Sequence, residues 1–587
     1  MGIGVWVSRR AGSSTSEFFL SGRTMPWWML GMSMVATTFS TDTPNLVTDF
    51  VRQGGVAKNW SWWAFLVTGM VTTFIYARLW RRSGSLTDME FYELRYSGKE
   101  AAFLRGFRAL YLGVVFNVLT MAGVTLAAIK IGGVMLGLEP LETILIASIV
   151  TAIFSSLGGF RGVIITDCIL FVTAMVGAVV AAYYALDHEQ IGGLSGLLSH
   201  PNVADKLSLL PSWSDDKDLF ITVLLIPLAV QWWAAWYPGA EPGGGGYIVQ
   251  RMLAAKDEQH ALRATLFFNI VHYAVRPWPW IIVALCSLVV YPDLESIAAA
   301  FPNIEADKLG HDLGYPAMLA FVPSGWIGLI LASLIAAYMS TISTHLNWGA
   351  SYVVHDFYQR FVRPEASEGE LVWAGRVFTV VQMVLAASVA LMLSNAQQLF
   401  DIIIMFGAGT GLIFLLRWFV PRINAWGELA AMVASGVIAL CFTFMPWDDP
   451  ATANTVETLG ASFGYWAKPL AVALTTLIWI VTVLLTPPVD PARLAAFNAR
   501  IKPLSTPFGW ALLATVLGCL TVYAALFATG WWIYGETTDA AVATGVLAVA
   551  GLGLAACLPK VLNANAGDED DDDSPPVLTA DGAGRER

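Results

Sequence analysis

The chain has 587 residues, of which 56% are hydrophobic and only 13% are charged, and its mean hydropathy is +0.61. Because a soluble domain carries about 25% charged residues, this composition indicates an integral membrane protein and excludes a cytosolic enzyme, a nucleic-acid binder and a secreted disulfide scaffold. The formal net charge of −11 is concentrated at the end of the chain, where residues 561–587 hold eight acidic and two basic side chains. We therefore predict an acidic, disordered cytoplasmic tail at residues 563–587.

Apolar runs of about 20 residues, the length that crosses a bilayer as a helix, recur along most of the chain. They predict an all-α membrane protein with about fourteen transmembrane helices. The predicted spans are 26–51, 59–81, 105–130, 141–158, 161–187, 218–238, 262–291, 325–356, 372–393, 398–420, 426–445, 466–486, 508–531 and 539–560. If the first span starts in the cytoplasm, 25 of the 33 lysines and arginines lie on the inner side, which predicts a cytoplasmic C-terminus.

The first eight residues are apolar and are followed by two arginines, as the final turns of a transmembrane helix would be. At 1.5 Å per residue they reach only about 12 Å, which is too short to span. We interpret residues 1–25 as the remnant of a leading transmembrane helix plus a cytoplasmic linker. A complete helix upstream is expected, lost to a truncation or a misplaced start.

The first span contains an irregularity that inert membrane helices lack. Residues 36–45 include six hydroxyl or carboxyl side chains and a proline. Pro44 has no amide hydrogen and disfavours helix at the residue before it, so we expect a break near residues 39–43. Backbone carbonyls that lose their helical hydrogen bonds at a break are tolerated in a membrane only where they line a cavity or hold an ion. Asp42 adds a carboxylate, which is costly to bury in lipid. The alternative is a kinked helix whose hydroxyls bond to the previous turn.

The eighth and fifth spans carry further polar groups at membrane depth. Ser340, Ser343 and Thr344 share one helix face and Thr341 lies beside it, so their oxygens suit a hard, weakly held cation. The alternative is that these hydroxyls bond back to their own helix or allow close helix packing. Asp167, about two turns into the fifth span, either pairs with a basic side chain or faces a cation.

The remaining polar residues of the spans form no catalytic or metal-binding motif. Five cysteines are scattered singly with no CxxC pair, which indicates neither a disulfide framework nor a zinc site. His272, His345 and Arg276 are interpreted as buried structural residues, although Arg276 also suits an anionic substrate. No GxxxxGK[ST] motif supports an ATP-driven pump, and no cluster of His, Asp and Cys supports an enzyme.

Six short segments carry recognisable motifs: residues 18–23 with 26–28, 90–96, 158–167, 248–256, 337–347 and 356–358. Taken in this order, they resemble the sodium:solute symporter family over about residues 17–417. The resemblance implies the LeuT-type fold, in which two inverted repeats of five helices place substrate and ions at broken helices. On the predicted spans the repeats are residues 26–187 and 218–420, with an outer loop at 188–217 between them. Four peripheral helices then occupy residues 421–562.

The resemblance also implies ligands for sodium, carried over position by position. The first site combines backbone oxygens and hydroxyls, and its residues are Ala36, Phe39, Ala337, Ser340 and Thr341. Some family members bind a second sodium, and the matching residues here are Asp167, Ser343 and Thr344. We expect this second, charged site about one helical turn closer to the cytoplasm.

The polar residues around the first-span break predict a solute cavity near the middle of the membrane, because half-helix ends point at ligands there. The residues expected to border it are Ser40, Thr41, Asp42 and Asn117, with Trp60 or Trp62 closing it from outside. Aromatic rings stack on sugars or cage cations, and they also form interfacial belts. We expect a sugar, a sugar acid or a similar small polar solute.

These observations predict a secondary active transporter of the cell membrane. It would couple the symport of a small polar organic solute to one or two Na⁺ ions by alternating access, as a monomer in the lipid bilayer and without a nucleic-acid partner. The alternatives are a proton-coupled symporter, a transporter-like solute sensor without net transport, and a membrane enzyme, the last being weakened by the missing catalytic cluster.

Overall fold

A computed structural model describes residues 23–38, 40–85, 87–234, 241–394, 396–448, 456–503 and 507–562. The predicted remnant of a leading helix lies almost entirely outside these ranges, as do the acidic tail and Phe39. The longer helices and those that build the site are α1 (Trp27–Thr37), α2 (Asp42–Gly54), α3 (Gly98–Leu110), α4 (Asn117–Leu136), α5 (Pro140–Leu186), α6 (Gly246–Leu253), α7 (Glu258–Ile270), α8 (Pro277–Val290), α9 (Ser324–Ser351), α10 (Glu368–Met392), α11 (Ala396–Ala408), α12 (Gly411–Leu416), α13 (Ala425–Phe444), α14 (Ala467–Leu485), α15 (Pro491–Ile501), α16 (Phe508–Tyr534) and α17 (Thr537–Leu562).

Shorter elements connect or continue these helices. Short α-helices are Trp60–Trp63, Leu66–Val71, Ala77–Ser83, Glu90–Arg95, Gly193–Ser199, Pro201–Ala204, Lys217–Leu219, Leu294–Ala300, Gly314–Leu319 and Leu459–Ser462. Segments of π-helix are Thr72–Tyr76, Tyr111–Phe116, Phe220–Leu225, Pro227–Gln231, Val271–Val275 and Tyr352–Val362. Single 3₁₀ turns are Val56–Asn59, Ala306–Lys308, His311–Leu313 and Gly464–Trp466. Two antiparallel strands, β1 (Pro446–Asp448) and β2 (Val456–Thr458), form one hairpin.

Nine uninterrupted helical stretches in the described part of the chain are long and apolar enough to cross a membrane. They are Gly98–Leu136, Val163–Leu186, Glu258–Val290, Ser324–Val362, Glu368–Met392, Ala425–Phe444, Gly464–Leu485, Phe508–Tyr534 and Thr537–Leu562. Of the other five predicted spans, four lie on broken or shorter helical pieces, such as α1 with α2 and α11 with α12, and the fifth, 141–158, lies on the first part of α5. The all-α membrane architecture is therefore confirmed, whereas the count of fourteen stays a prediction.

One helix differs from the sequence prediction. The fourth and fifth spans, predicted at 141–158 and 161–187, lie on the single continuous helix α5. Between them Gly158 and Gly159 lower helix propensity by about 1 kcal/mol each, yet they keep their amide hydrogens and therefore do not interrupt the hydrogen-bond ladder as a proline would. A glycine pair is a weak signal for a turn between two helices.

The predicted break in the first span is present. Helix α1 ends at Thr37 and α2 begins at Asp42. Pro44 lies in the first turn of α2, where the missing amide hydrogen costs no helical bond. The break lies deep in the bundle, because α1 packs against α5, α7 and α9 while α2 packs against α4, α8 and α11.

Candidate functional site

Asp167 lies at the centre of a buried cluster of oxygen atoms contributed by three helices. Its carboxylate, on α5, accepts hydrogen bonds from the hydroxyl of Ser33 on α1 at 2.6 Å and from that of Ser340 on α9. Thr37, at the end of α1, donates to the same carboxylate at 3.4 Å. All four side chains are buried. The packing of α1, α5 and α9 thus brings together residues that are far apart in the sequence.

Arg251 on α6 completes this cluster with a positive charge. Its Nη2 atom lies 3.6 Å from Asp167 Oδ2, and both side chains are almost fully buried. The guanidinium also donates to the hydroxyls of Ser33 at 3.1 Å and Thr37 at 3.0 Å. Of the two roles that the sequence left open for Asp167, the structure shows the pairing with a basic side chain. The sequence assigned no role to Ser33 or Arg251, although a buried arginine in an apolar neighbourhood is a signal in itself.

The hydroxyls of α9 have different partners. Thr341 donates to the carbonyl oxygen of Thr37 at 3.5 Å, across to α1. Ser343 bonds back to the carbonyl of Ser340 at 3.0 Å, as the structural alternative expected. The Thr344 hydroxyl is buried and has no hydrogen-bond partner among the described residues. The two predicted sodium sites are adjacent, because Ser340 of the first site contacts Asp167 of the second.

The backbone part of the predicted first site is described only in part. Ala36 on α1 and Ala337 on α9 are buried on helices that pack against each other. Phe39 lies outside the described residues. Carbonyl and hydroxyl oxygens without net charge suit a hard monovalent cation that must be released in every cycle.

A cavity of about 70 Å³ lies beside the break. Its lining comes from both halves of the broken helix, from α4, from the α7–α8 region and from α11. The lining residues are Thr38, Asp42, Thr43, Leu46, Val47, Trp62, Thr120, Gly123, His272, Arg276, Leu399, Phe400 and Ile403. Asp42 and Trp62, two of the six residues predicted to border a solute cavity, are among them.

The other four predicted solute residues do not line this cavity. Thr41 donates to the carbonyl of Val124 at 3.0 Å, and the amide of Asn117 bonds to His345. Ser40 is buried, with no hydrogen-bond partner for its hydroxyl among the described residues. Trp60 donates to a backbone carbonyl and packs against α16. The polar atoms of Thr41, Asn117 and Trp60 are therefore used within the protein, which the sequence alone could not reveal.

Arg276 and His272, which the sequence analysis interpreted as buried structural residues, also line the cavity. Arg276 donates through Nη1 to the carbonyls of Val35 at 3.3 Å and Thr38 at 3.2 Å, so a guanidinium stabilises backbone oxygens freed by the break. His272 contacts the ring of Trp62 edge-on at 5.5 Å. Both lie within an apolar span, where a charged or polar side chain by itself indicates a functional or structural role.

A second cavity, of about 290 Å³, lies toward the end of the bundle that the sequence predicts to be cytoplasmic. Tyr352, at the end of the eighth span, donates to Asp88 there, and Asp88 also accepts from the amide of Gly246 at the start of α6 at 2.7 Å. Arg105 binds Asp356 on the same side at 2.7 Å. These contacts link four segments at this end of the bundle: the turn at Asp88, the start of α6, helix α3 and the segment Tyr352–Val362.

Comparison with known proteins decides the family. The model of the sodium:solute symporter family matches residues 18–435, which is most of the chain. The chain belongs to the sodium:solute symporter family. Among its relatives, a sodium/glucose cotransporter of Vibrio parahaemolyticus is 27% identical over 477 residues, covering 78% of this chain and 86% of that protein. Sodium/glucose cotransporter 1 of Sus scrofa is 25% identical over 538 residues, covering 84% and 78%.

A solved structure confirms the fold. A Na⁺-coupled sialic acid symporter in a substrate-bound, outward-open state matches with a TM-score of 0.63 at 21% identity, over 83% of this chain and 95% of the other. The LeuT-type fold expected from the sequence is therefore confirmed. The protein is a multi-pass membrane protein that couples solute symport to sodium, and it is a transporter, not an enzyme.

Proposed function

We propose that the protein carries a small polar organic solute together with two Na⁺ ions by alternating access, with the solute in the cavity at the break and the ions between α1, α5 and α9. The observation that carries this proposal is the buried oxygen cluster around Asp167, in which Ser33 and Ser340 join two other helices to its carboxylate. Broken helices next to such a cluster provide both ion ligands and a solute pocket in one place.

The first sodium would bind backbone oxygens of Ala36, Phe39 and Ala337 and the hydroxyls of Ser340 and Thr341. The 3.5 Å contact between Thr341 and the carbonyl of Thr37 supports this assignment, because it brings α9 against the end of α1 where carbonyls are freed. A shell of neutral oxygens binds sodium only modestly, as a coupling ion requires.

The second sodium would bind Asp167 with Ser343 and Thr344. The buried hydroxyl of Thr344, which has no hydrogen-bond partner within the described part of the chain, would be available to a cation. Arg251 already neutralises Asp167 at 3.6 Å, so a sodium ion here competes with the guanidinium for the same carboxylate. We therefore propose that Arg251 and the second sodium exchange at Asp167 during the cycle.

The solute would contact Asp42 and Trp62, which line the cavity. Thr41, Ser40, Asn117 and Trp60 would support the walls around it without touching the solute. The two relatives named above are sodium/glucose cotransporters, and the structural neighbour is a sialic acid symporter. A sugar or sugar acid is therefore the starting hypothesis for the solute. We further propose that the protein works as a monomer in the cell membrane with its C-terminus in the cytoplasm.

Uptake into proteoliposomes tests the proposal. An inward sodium gradient should accumulate the solute, and a potassium gradient of the same size should not. Thr341→Ala should remove the sodium-driven component, while Thr341→Ser, which keeps the hydroxyl oxygen, serves as the matched control. Uptake that follows a pH gradient and ignores sodium would favour proton coupling at Asp167, and solute binding without accumulation would indicate a sensor.

A further inference from the structure

The cavity of about 290 Å³ toward the predicted cytoplasmic end, here called the inner cavity, carries an excess of negative charge. The acidic residues that line it are Asp88, Glu90, Asp356 and Glu368. Arg105 is the one arginine or lysine among the described residues of its lining. With His355 neutral, four negative charges and one positive charge leave a formal charge of −3. A cleft lined by one sign of charge concentrates ions of the opposite sign, so the inner cavity favours a cation.

Asp356 gives the inner cavity a buried acceptor atom that is not hydrogen-bonded within the protein. Its side chain is fully buried, and its Oδ1 atom accepts a hydrogen bond from Arg105 Nε at 2.7 Å. Its Oδ2 atom is buried too and has no hydrogen-bond partner in the described part of the chain. A buried carboxylate oxygen without a partner is costly, so a positively charged donor that enters the cavity would stabilise it.

Arg105 neutralises Asp356 only in part, because two carboxylates share its one positive charge. Its Nη1 atom binds Glu93, which does not line the inner cavity, at 2.6 Å. Asp88, in contrast, has a partner for each oxygen. The Tyr352 hydroxyl donates to its Oδ1 atom and the Gly246 amide donates to its Oδ2 atom at 2.7 Å. Asp88 is thus held in place and contributes charge, whereas Asp356 also offers an open hydrogen-bond acceptor.

The arrangement of these acidic residues favours an organic cation over a metal ion. Within the described ranges, no three His, Cys, Asp or Glu side chains are grouped closely enough to hold a metal ion together. The negative charges are therefore distributed around the inner cavity. Trp348 and Tyr352 line it as well, and aromatic rings attract ammonium groups. Distributed carboxylates match a cation whose ammonium groups are separated by a short apolar chain.

We propose that the inner cavity is a binding site for an aliphatic diamine or polyamine. One ammonium group donates to Asp356 Oδ2, and another is held by the charge of Asp88, Glu90 and Glu368. The site is separate from the proposed sodium and solute sites, because none of the residues assigned to those sites lines the inner cavity.

Equilibrium binding to the purified whole chain in lipid nanodiscs tests the site. Radiolabelled putrescine and spermidine should each bind saturably in a potassium chloride buffer of constant ionic strength. Butylamine has the chain length of putrescine but only one ammonium group. It should compete at least about tenfold more weakly than unlabelled putrescine, because it lacks one charge-assisted hydrogen bond. Butane-1,4-diol, which has no charge, should not compete.

Three variants connect the binding to the inner cavity. Asp356→Asn keeps an oxygen for Arg105 but removes the negative charge, so it should weaken putrescine binding at least about tenfold. Glu368→Gln, at the exposed start of α10, leaves that ion pair intact and should weaken binding about twofold to fivefold, as expected for an exposed charge pair. It therefore tests the site even if Asp356→Asn fails to fold. Glu370→Gln is the matched control and should not change binding, because Glu370 binds Tyr358 at 2.8 Å and does not line the cavity.

Three results would each overturn this site. The first is the absence of saturable binding of both amines. The second is displacement of putrescine by magnesium chloride at concentrations as low as those of unlabelled putrescine, which would indicate a metal site. The third is unchanged binding in both Asp356→Asn and Glu368→Gln, which would show that the amine binds elsewhere. Because binding is measured without a sodium gradient, none of these results depends on the proposed symport.

Discussion

Replacing Asp167 by asparagine removes one negative charge from the buried cluster while keeping its size. The amide oxygen still accepts a hydrogen bond from Ser33 or Ser340, so the helices α1, α5 and α9 remain linked. The proposed second sodium would lose its charged ligand. We therefore expect Asp167→Asn to lower the sodium Hill coefficient toward one without abolishing transport.

The magnitude follows from the driving force that one ion supplies. A tenfold sodium gradient contributes about 1.4 kcal/mol, and a membrane potential of about 100 mV adds roughly 2.3 kcal/mol for each charge that crosses. Losing one of two ions removes about 3.7 kcal/mol, which lowers the limiting accumulation ratio by about 500-fold. The initial uptake rate at saturating sodium should fall far less than this.

The variant also leaves Arg251 without its carboxylate, and breaking a buried ion pair costs roughly 3–5 kcal/mol of folding stability. The double variant Asp167→Asn, Arg251→Gln removes both charges and controls for this effect. Asp312→Asn is a second control, because it removes a buried carboxylate paired with Lys130 at 2.6 Å, outside the ion cluster. It should keep the Hill coefficient of the unmodified protein.

The assay is sodium-dependent uptake into proteoliposomes clamped at a fixed potential, with the accumulation ratio taken at steady state. A Hill coefficient that is unchanged in Asp167→Asn, with an unchanged accumulation ratio, would refute a second sodium at Asp167. Asp167 would then be only the structural partner of Arg251.

Three further changes give independent tests. Thr341→Ala should abolish sodium-driven uptake, measured as the initial rate at saturating sodium, because the first site loses a hydroxyl ligand; a normal rate would contradict that site. Lys130→Met should lower the free energy of unfolding by roughly 3–5 kcal/mol, measured by chemical denaturation in detergent, because Asp312 is left buried and unpaired. Tyr352→Phe should speed the efflux of preloaded solute, because it removes the hydroxyl that donates to Asp88 at the inner cavity.

The sequence predicted those features that depend on local chemistry. Pro44 and the hydroxyls before it indicated the break, which lies between Thr37 and Asp42. The helical spacing of Ser340, Ser343 and Thr344 predicted a shared polar face. These predictions need only the geometry of one helix and the chemistry of its residues.

Features that depend on distant contacts could not be predicted in the same way. Arg251 reaches Asp167, and Arg276 reaches the carbonyl of Thr38, only because the bundle packs α1 against several other helices. Trp60 and Trp62, which lie on one short helix, are a second example of residues whose contacts the sequence alone does not predict. Residues two apart on a helix point about 200° from each other, so Trp60 and Trp62 cannot both face one cavity. Only the packing against α16 decides that Trp60 is the one that faces away.

The two residues at the end of α1 connect the buried cluster around Asp167 to the cavity beside the break. Thr37 contacts Arg251 through its hydroxyl and Thr341 through its carbonyl, both on the ion side. Thr38 lines the cavity, and its carbonyl accepts from Arg276, which lines it too. The planar peptide bond holds the Thr37 carbonyl and the Thr38 amide nitrogen in one rigid unit, so a cation that shifts this carbonyl also moves the start of Thr38. The free energy by which bound sodium changes the solute affinity must equal the free energy by which bound solute changes the sodium affinity. We propose that the backbone of Thr37 and Thr38 carries this coupling.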